Sequence, residues 1–335
     1  MAAPISFSAD RASITPDISR PDSTETVTAR ILCTDLAGLR NQALGLAEAA
    51  GFAADSRVII PKSPWNRLSP MLWPNVVCAI EPAALAPPDG DVLIGAGGAA
   101  ARLVAALRRP DLPAVIIQHP RMDPGRFDAI VAAKHDAITG PNVIVARTAM
   151  HRVCTDRLAE ARAIWTPVFA HLPRPLVAVL IGGSNGRYRL DTAAARHLAT
   201  QLAVMMDTDK VGLMLTPSRR TDTAARAALH DALAPRGAHV WDMTGENPYF
   251  GMLALADAIV VTADSVSMVS EAVATDAPVM LARLPGKSSR IGEFMNDMVS
   301  IGRARDFTGR LDLWPTTPLN DTPMAAAALR RLLGY

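Results

Sequence analysis

The sequence is poor in aromatic residues and in cysteine, and neither charge sign is in clear excess. Phe, Trp and Tyr make up 4% of the 335 residues whereas 50% are hydrophobic, so the core must be largely aliphatic. Cys33, Cys78 and Cys154 are too few and too widely spaced for a disulfide framework or a metal cluster. We therefore predict a reducing, cytoplasmic location and no metal site.

The formal net charge of +2 gives no case for a nucleic-acid partner, which needs a concentrated basic surface. No segment approaches the roughly 20 consecutive apolar residues of a membrane-spanning helix. Peripheral contact with a membrane surface stays open as an alternative. Residues 1–27 are rich in Ser, Thr, Asp and Pro and lack the apolar and basic segments of a signal peptide, so we predict a disordered leader.

From Thr28 onward, short apolar strand patterns alternate with amphipathic helix patterns. This alternation predicts parallel sheets, because parallel strands need crossover connections. A Pro-rich stretch from Pro167 to Pro175 separates two such series, and we predict two doubly wound, Rossmann-like domains of an α/β protein facing each other across a cleft. The predicted ranges are 28–170 for the N-terminal domain, 171–320 for the C-terminal domain, and 321–335 for a helix that packs back on the N-terminal domain.

The most informative segment is the predicted βα unit that surrounds Ser265. A strand pattern from Ala258 to Val261 leads into a polar turn, and Ser265 is placed to cap the helix that follows. Such a helix N-terminus attracts phosphate or carboxylate, and Glu271, about two turns on, could accept hydrogen bonds from ribose hydroxyls. The alternative is an ordinary βα turn in which Ser265 is only a cap and Glu271 is solvated.

Two other turns at predicted strand ends are candidates for ligand binding. Gly182 to Gly186 is glycine-rich, so its backbone can approach a ligand, but it lacks the lysine of a P-loop and the spacing of a dinucleotide fingerprint. Arg219 or Arg220 could bind a phosphate through two parallel hydrogen bonds. The alternatives are a glycine turn without a ligand, and solvated arginines beside a helix that Thr221 caps.

Three residues are candidates for acid–base chemistry: His135, Asp35 and His119. A histidine near its ordinary pKa can take a proton from a hydroxyl, and a neighbouring carboxylate can orient the ring. Asp136 follows His135, but adjacent residues at a strand end point in different directions, so the two need not touch. A structural role stays the alternative for each candidate, and no Ser-His-Asp elbow is present.

Several of these motifs resemble a known family, the mitochondrial fission (elongated-mitochondria) family, which also has bacterial members. The segment carrying most of the resemblance reads Thr262-x-Asp264-Ser265-x-Ser267-Met268-x-x-Glu271. The tandem α/β pattern also resembles the GT-B glycosyltransferases. The other matching pairs and runs are Asn41-Gln42, His135-Asp136, Asn142-Val143, Gly182-Gly183 and Asn247-Pro248-Tyr249.

The GT-B resemblance implies a nucleotide-sugar donor in the C-terminal domain and an acceptor in the N-terminal domain. The acceptor class to consider is a membrane lipid or a cell-envelope precursor, at the inner face of the membrane. A helix N-terminus and arginines can balance a diphosphate without a metal. The implied donor-binding residues are Gly182, Gly183, Ser184, Asn185, Ser218, Arg219, Arg220, Asn247, Asp264, Ser265, Val266, Ser267, Met268 and Glu271.

One departure from the family pattern affects the catalytic assignment. Gly38-Leu39 stands where many bacterial relatives carry a Gly-His pair, so His135, Asp35 or His119 must supply the base if the protein is a transferase. Two other functions stay open. They are a catalytically idle scaffold that binds a nucleotide or a protein partner, and a two-domain sugar-nucleotide epimerase.

Overall fold

The structure, a computed structural model, describes residues 26–73, 75–86 and 89–335. Residues 1–25, most of the predicted leader, lie outside the described residues. The described chain forms two six-stranded parallel sheets flanked by helices, which confirms the predicted α/β architecture. Among the described helices none is long and apolar enough to cross a membrane.

The first sheet contains the strands of the N-terminal domain. They are β1 (Thr28–Cys33), β2 (Ala53–Val58), β3 (Val92–Ala96), β4 (Ala114–Ile117), β5 (Ala129–Ala133) and β6 (Val143–Ala146). Their spatial order is β2-β1-β3-β4-β5-β6. The helices of this half are α1 (Ala37–Ala49) and α2 (Gly98–Leu107).

The second sheet contains β7 (Leu176–Ile181), β8 (Gly212–Pro217), β9 (His239–Val240), β10 (Ala258–Thr262), β11 (Val279–Ala282) and β12 (Ala304–Asp306). Its order is β12-β11-β10-β7-β8-β9, so the direction of strand addition reverses between β7 and β10. The sequence patterns did not reveal β12, which is only three residues long. The remaining helices are α3 (Thr155–Phe169), α4 (Thr192–Asp209), α5 (Thr223–Leu233), α6 (Tyr249–Leu255), α7 (Val266–Val273), α8 (Ser289–Ser300) and α9 (Thr322–Leu333).

Single-turn 3-10 helices lie in several of the connections. The described ones are Trp65–Arg67, Pro70–Leu72, Pro82–Leu85, Pro124–Arg126, Lys134–Asp136 and Ala234–Arg236.

The two central strands β7 and β10 are buried along their whole length. Alternate side chains of β7 point to opposite layers: Val179 packs with the residues of α4 and α5, and Leu180 with those of α6, α7 and α8. Strands covered on both faces must be continuously apolar, which is why the run from Leu176 to Ile181 was readable as a strand.

Helix α3 ends later than the sequence predicts. The Pro-rich stretch predicts a break that begins at Pro167, but α3 continues through Pro167 to Phe169. The rings of Trp165 and Phe169 stack 5.7 Å apart, and Trp165 packs so closely on α6 that a Cβ at Gly251 would come within 2.3 Å of it. This packing holds the last turn despite the hydrogen bond that proline removes.

Helix α9 packs on the N-terminal domain, against α1, β5 and β6. Ala325, Ala326 and Leu329 belong to the same apolar cluster as Ile31 and Leu46. At the start of α9, one carboxylate oxygen of Asp321 accepts hydrogen bonds from the segment that follows β6. The chain therefore crosses between the domains twice.

Candidate functional site

A cavity of about 1210 Å³ lies between the two domains, and we call it the interdomain cavity. Its N-terminal wall comes from the ends of β1, β4, β5 and β6. Its C-terminal wall comes from the segments after β8 and β10 and from the start of α8. The strand order of the second sheet reverses beside this wall, between β7 and β10. Doubly wound sheets bind their ligands at such a reversal.

The N-terminus of α7 opens into the interdomain cavity. Ser265 is its N-cap, and the Ser265 Oγ accepts a hydrogen bond from the Met268 N–H at 3.4 Å. Val266 and Ser267 also line the cavity, and no group of the described residues accepts a hydrogen bond from their N–H groups. Two free donors and the positive end of the helix dipole therefore face the cavity, where an anion would satisfy them.

Glu271 lines the same cavity although only 5% of its surface is exposed. The Tyr249 hydroxyl donates a hydrogen bond to its Oε2. Burial raises the pKa of Glu271 to about 7, and the hydrogen bond from Tyr249 opposes that shift. Glu271 is thus a buried carboxyl group with a raised pKa, which differs from the alternative of a solvated side chain. Tyr249 belongs to the Asn247-Pro248-Tyr249 motif, but the motif alone does not indicate its contact with Glu271.

Asp264 is a second buried carboxylate in the cavity wall, 2% exposed. Its Oδ2 accepts a hydrogen bond from the Gly183 N–H at 3.0 Å and lies 3.6 Å from Nη2 of Arg220. Its Oδ1 is buried without a hydrogen-bond partner among the described residues. Burial raises the pKa of Asp264. Its contacts brace the neighbouring turn and do not present an anion-binding donor.

The glycine-rich turn after β7 does not line the cavity, contrary to the prediction for Gly182, Gly183, Ser184 and Asn185. Its polar groups are used within the protein. The Gly182 N–H donates to Thr262 Oγ1, the Ser184 Oγ accepts from the Leu190 N–H, and the Asn185 Oδ1 accepts from the N–H groups of Arg187 and Tyr188.

The reason for the glycines is close packing with the neighbouring turns. A Cβ at Gly182 would lie 2.3 Å from both carboxylate oxygens of Asp264, and one at Gly183 would lie 2.4 Å from the carbonyl oxygen of Arg220. A ligand and a neighbouring turn both require the absence of Cβ, so the sequence could not distinguish them.

Among the other predicted donor-side residues, Ser218, Arg219, Arg220 and Asn247 line the cavity. The Ser218 Oγ is used internally, because it donates to the Gly182 carbonyl at 2.7 Å. The Asn247 Oδ1 accepts from the Tyr249 N–H at 3.0 Å and so fixes the start of α6. Across the cavity, Arg219 Nη1 lies 3.8 Å from Oδ1 of Asp35, a side chain that is 74% exposed.

His135 lines the N-terminal wall, with its ring 6.3 Å from that of Phe294. Burial lowers the pKa of His135 below its ordinary value, so the imidazole is neutral at pH 7 and able to accept a proton. Asp136 does not orient it. One oxygen of Asp136 pairs with Arg290 of α8, and the other accepts from the Ala133 N–H.

His119, the third acid–base candidate, does not line the cavity. Its Nδ1 accepts a hydrogen bond from the Arg121 N–H at 2.9 Å. Gln118 and Arg121 have positive φ angles of 76° and 56°, and these two residues line the cavity instead. The sequence gives no signal for this turn, because positive φ is uncommon for either residue type.

The two domains also touch through polar contacts around the cavity. Lys134 pairs with Asp297 at 2.9 Å, next to the pair of Asp136 and Arg290. On the other side, the Gln42 Nε2 donates to the Oγ of Ser267 at 3.1 Å. The N-terminal domain thus reaches the N-terminus of α7.

A family model described as Mitochondrial fission ELM1 matches residues 37–333, nearly the whole described chain. The chain belongs to the mitochondrial fission ELM1 family. This confirms the family resemblance drawn from the sequence motifs. The mitochondrial fission protein ELM1 of Arabidopsis thaliana is 31% identical over 272 residues, which cover 72% of this ELM1-family chain and 64% of the plant protein. An uncharacterized protein of Rickettsia prowazekii (strain Madrid E) is 24% identical over 286 residues, which cover 73% of this chain and 79% of that protein.

Solved structures with the same fold include UDP-GlcNAc 2-epimerases. The Methanocaldococcus jannaschii enzyme in complex with UDP-GlcNAc and UDP has a TM-score of 0.57 at 12% identity and covers 92% of this chain and 99% of that one. The Neisseria meningitidis enzyme bound to UDP-GlcNAc has a TM-score of 0.52 at 12% identity, covering 92% and 100%. The glycosyltransferase SnogD of Streptomyces nogalater has a TM-score of 0.50 at 15% identity, covering 92% and 95%. At these identities the likeness shows the GT-B-like fold alone.

Proposed function

We propose that this ELM1-family protein binds a nucleotide-sugar in the interdomain cavity and acts as a GT-B-like glycosyltransferase. The observation that carries the proposal is that the α7 N-terminus and Glu271 open into one cavity. Ser267 and Glu271 are four residues apart, about 6 Å along the helix axis at 1.5 Å per residue. This spacing suits a diphosphate at the free N–H groups and ribose hydroxyls at the carboxylate.

The charge of the cavity supports an anionic ligand. Six arginines but only four carboxylates line it, and burial raises the pKa of Glu271 to about 7, which weakens its negative charge. A concentration of cations in a concave site attracts anions and stabilises a leaving diphosphate. The arginines are Arg121, Arg147, Arg187, Arg219, Arg220 and Arg290, and the carboxylates are those of Asp35, Asp136, Asp264 and Glu271.

In the proposed transfer, His135 is the base. Its neutral imidazole takes the proton of the acceptor hydroxyl while that oxygen bonds to the anomeric carbon of the sugar. The bond from that carbon to the diphosphate oxygen breaks, and the α7 N-terminus and the arginines receive the negative charge of the nucleoside diphosphate. For the acceptor we propose a membrane lipid or a cell-envelope precursor, which would place the protein at the inner face of the membrane.

Nucleotide binding is tested by calorimetric titration of the full-length protein with UDP, GDP, CMP and UDP-GlcNAc. The uridine compounds come first because two structural neighbours were solved with UDP-GlcNAc. We expect Glu271→Gln to weaken the nucleotide that binds by about ten-fold or more, the size of a hydrogen bond to a charged group. Glu160→Gln, an exposed position on α3, is the matched control and should leave the affinity unchanged. Absence of binding to all four compounds would remove the proposal.

Turnover separates the transferase from the two other functions. Transfer is supported if the wild type releases UDP from UDP-GlcNAc and His135→Ala does not, while the variant keeps its affinity for the donor. Binding with no release of UDP and no change of the sugar supports the idle scaffold. Conversion of the sugar to its epimer, followed by proton NMR, supports the epimerase.

A further inference from the structure

Residues 185–189 and 285–287 run side by side and form a short arm at the edge of the interdomain cavity. Tyr188 and Gly286 form an antiparallel bridge. The Arg189 N–H donates to the Pro285 carbonyl at 2.8 Å, and the Lys287 N–H donates to the Arg187 carbonyl at 3.1 Å. The backbone of Arg187 is therefore held from the β11 side.

Asn185 holds the same residue from the β7 side. Its Oδ1 accepts from the Arg187 N–H at 3.1 Å and the Tyr188 N–H at 3.0 Å, and its Nδ2 donates to the Asp264 carbonyl at 3.1 Å. Gly286 has a φ of +133°, and a Cβ there would lie 2.2 Å from the Arg187 carbonyl oxygen. The arm thus requires Asn185 and Gly286 and is tied to the turn that precedes α7.

Arg187 lines the cavity and is exposed, and no carboxylate of the described residues pairs with it. Each of the other arginines of the C-terminal wall has a carboxylate within ion-pair distance. Arg219 and Arg220 lie 3.8 and 3.6 Å from a carboxylate oxygen, and Arg290 pairs with Asp136. Arg121 also lacks a carboxylate partner in the described chain, but it belongs to the opposite wall. Among the described residues, Arg187 is therefore the arginine of the C-terminal wall that no carboxylate neutralises.

We infer that the glycine-rich turn serves the ligand through Arg187, whose guanidinium binds the diphosphate that the α7 N-terminus also contacts. A guanidinium can donate two parallel hydrogen bonds to one phosphate group. Asn185 and Gly286 are positioning residues that act through Arg187. The inference rests on the proposed function and names a further contact of the same site.

The test compares two arginines of one arm in the full-length protein. Arg189 carries the same charge, lies two residues away and does not line the cavity. We titrate UDP and inorganic pyrophosphate into wild type, Arg187→Ala and Arg189→Ala. We expect Arg187→Ala to weaken both ligands about ten-fold or more, and Arg189→Ala to weaken them less than two-fold. Arg187→Lys should recover only part of the affinity, because an ammonium group cannot bind in the two-pronged manner. Arg187→Gln replaces Arg187→Ala if the latter does not fold.

The role of Asn185 is tested by a double-mutant cycle. If Asn185 acts through Arg187, Asn185→Ala weakens UDP binding in the wild-type protein and has no further effect on affinity in the Arg187→Ala protein. A general loss of stability would lower affinity in both backgrounds, and that result overturns the positioning role.

The outcomes separate this inference from the proposed function. In one outcome, UDP binding depends on Glu271 and is affected equally by Arg187→Ala and Arg189→Ala. That result overturns the Arg187 contact and leaves the proposed function standing. Pyrophosphate binding that depends on Arg187, with no nucleotide bound, supports the contact and removes the proposed function. Binding of neither ligand overturns both.

Discussion

The hydroxyl of Tyr249, the first residue of α6, donates a hydrogen bond to Oε2 of Glu271 in the second turn of α7. Burial raises the pKa of both groups, that of Tyr249 well above its ordinary value, so the tyrosine keeps its proton as a donor. No described residue donates a hydrogen bond to Oε1 of Glu271. One carboxylate oxygen is therefore fixed by the protein, and the other is left for a ligand.

The raised pKa of Glu271 makes the stability of the protein depend on pH. The folded state holds this proton up to a pKa of about 7, whereas the unfolded state releases it near the ordinary value of 4.5. The stabilisation is present below pH 4.5 and is lost as pH rises to about 7, on the order of 3 kcal/mol in total. Glu271→Gln has no proton to lose. As pH rises from 5 to 7, its free energy of unfolding should therefore increase relative to that of the wild type. Urea unfolding at intervals across this range measures the difference.

Glu160→Gln is the control for that experiment, because Glu160 is exposed on α3. The difference between this control and the wild type should not change with pH. Parallel pH curves for Glu271→Gln and the wild type would show that Glu271 is ionised in the folded protein throughout.

Gly182, which follows β7, is predicted to contribute to stability even in the absence of any ligand. In Gly182→Ala the new methyl group meets the Asp264 carboxylate at 2.3 Å, and we expect destabilisation of about 2 kcal/mol from the forced displacement. Gly98→Ala in α2 is the matched control, since nothing lies within 4 Å of a Cβ there and its φ is not positive. That change should leave stability unchanged or raise it by about 0.5 kcal/mol. Equal thermal midpoints for the two variants would contradict the packing explanation.

The parts of the fold that can be predicted from the sequence are those that local residue patterns determine. The continuous apolar runs of β7 and β10 mark buried parallel strands, and Ser265 between an apolar strand and an amphipathic helix marks the cap of α7. The cavity at the carboxyl ends follows from the topology of any doubly wound sheet. These features need no knowledge of which distant residues meet.

The parts that could not be predicted depend on long-range partners. Asp136 lies beside His135 in the sequence but pairs with Arg290, 154 positions away. The His135 ring is therefore not oriented by the Asp136 carboxylate. Tyr249 and Glu271 are 22 positions apart on different helices. Pro167 is inside α3 because Trp165 packs on α6. In each case tertiary packing overrides the local pattern.

The pairs of Lys134 with Asp297 and Asp136 with Arg290 are predicted to hold the domains together on one side of the cavity. The double variant Lys134→Met/Asp136→Asn removes both attractions, and the radius of gyration from X-ray scattering should rise and depend less on salt. Arg108→Met, which removes an ion pair with Asp128 inside the N-terminal domain, is the control and should leave the radius unchanged. An unchanged radius in the double variant would show that apolar contacts alone set the domain distance.

Arg303 is predicted to be a main support of α7, although no pattern in the sequence indicates this role. Its buried guanidinium donates hydrogen bonds to the carbonyl oxygens of Val273, Thr275 and Ala277, at and beyond the end of the helix, at distances from 2.5 to 3.2 Å. Arg303→Met removes these hydrogen bonds, although the Val273 carbonyl keeps the one from the Leu319 N–H. It also removes a cation from the negative end of the α7 dipole, so we expect a loss of about 3 kcal/mol in urea unfolding. Arg305→Met is the control, because Arg305 is half exposed and pairs with Asp312 at the surface, where such a pair is worth about 1 kcal/mol or less. If the two variants unfold at the same urea concentration, the carbonyl contacts of Arg303 do not stabilise α7.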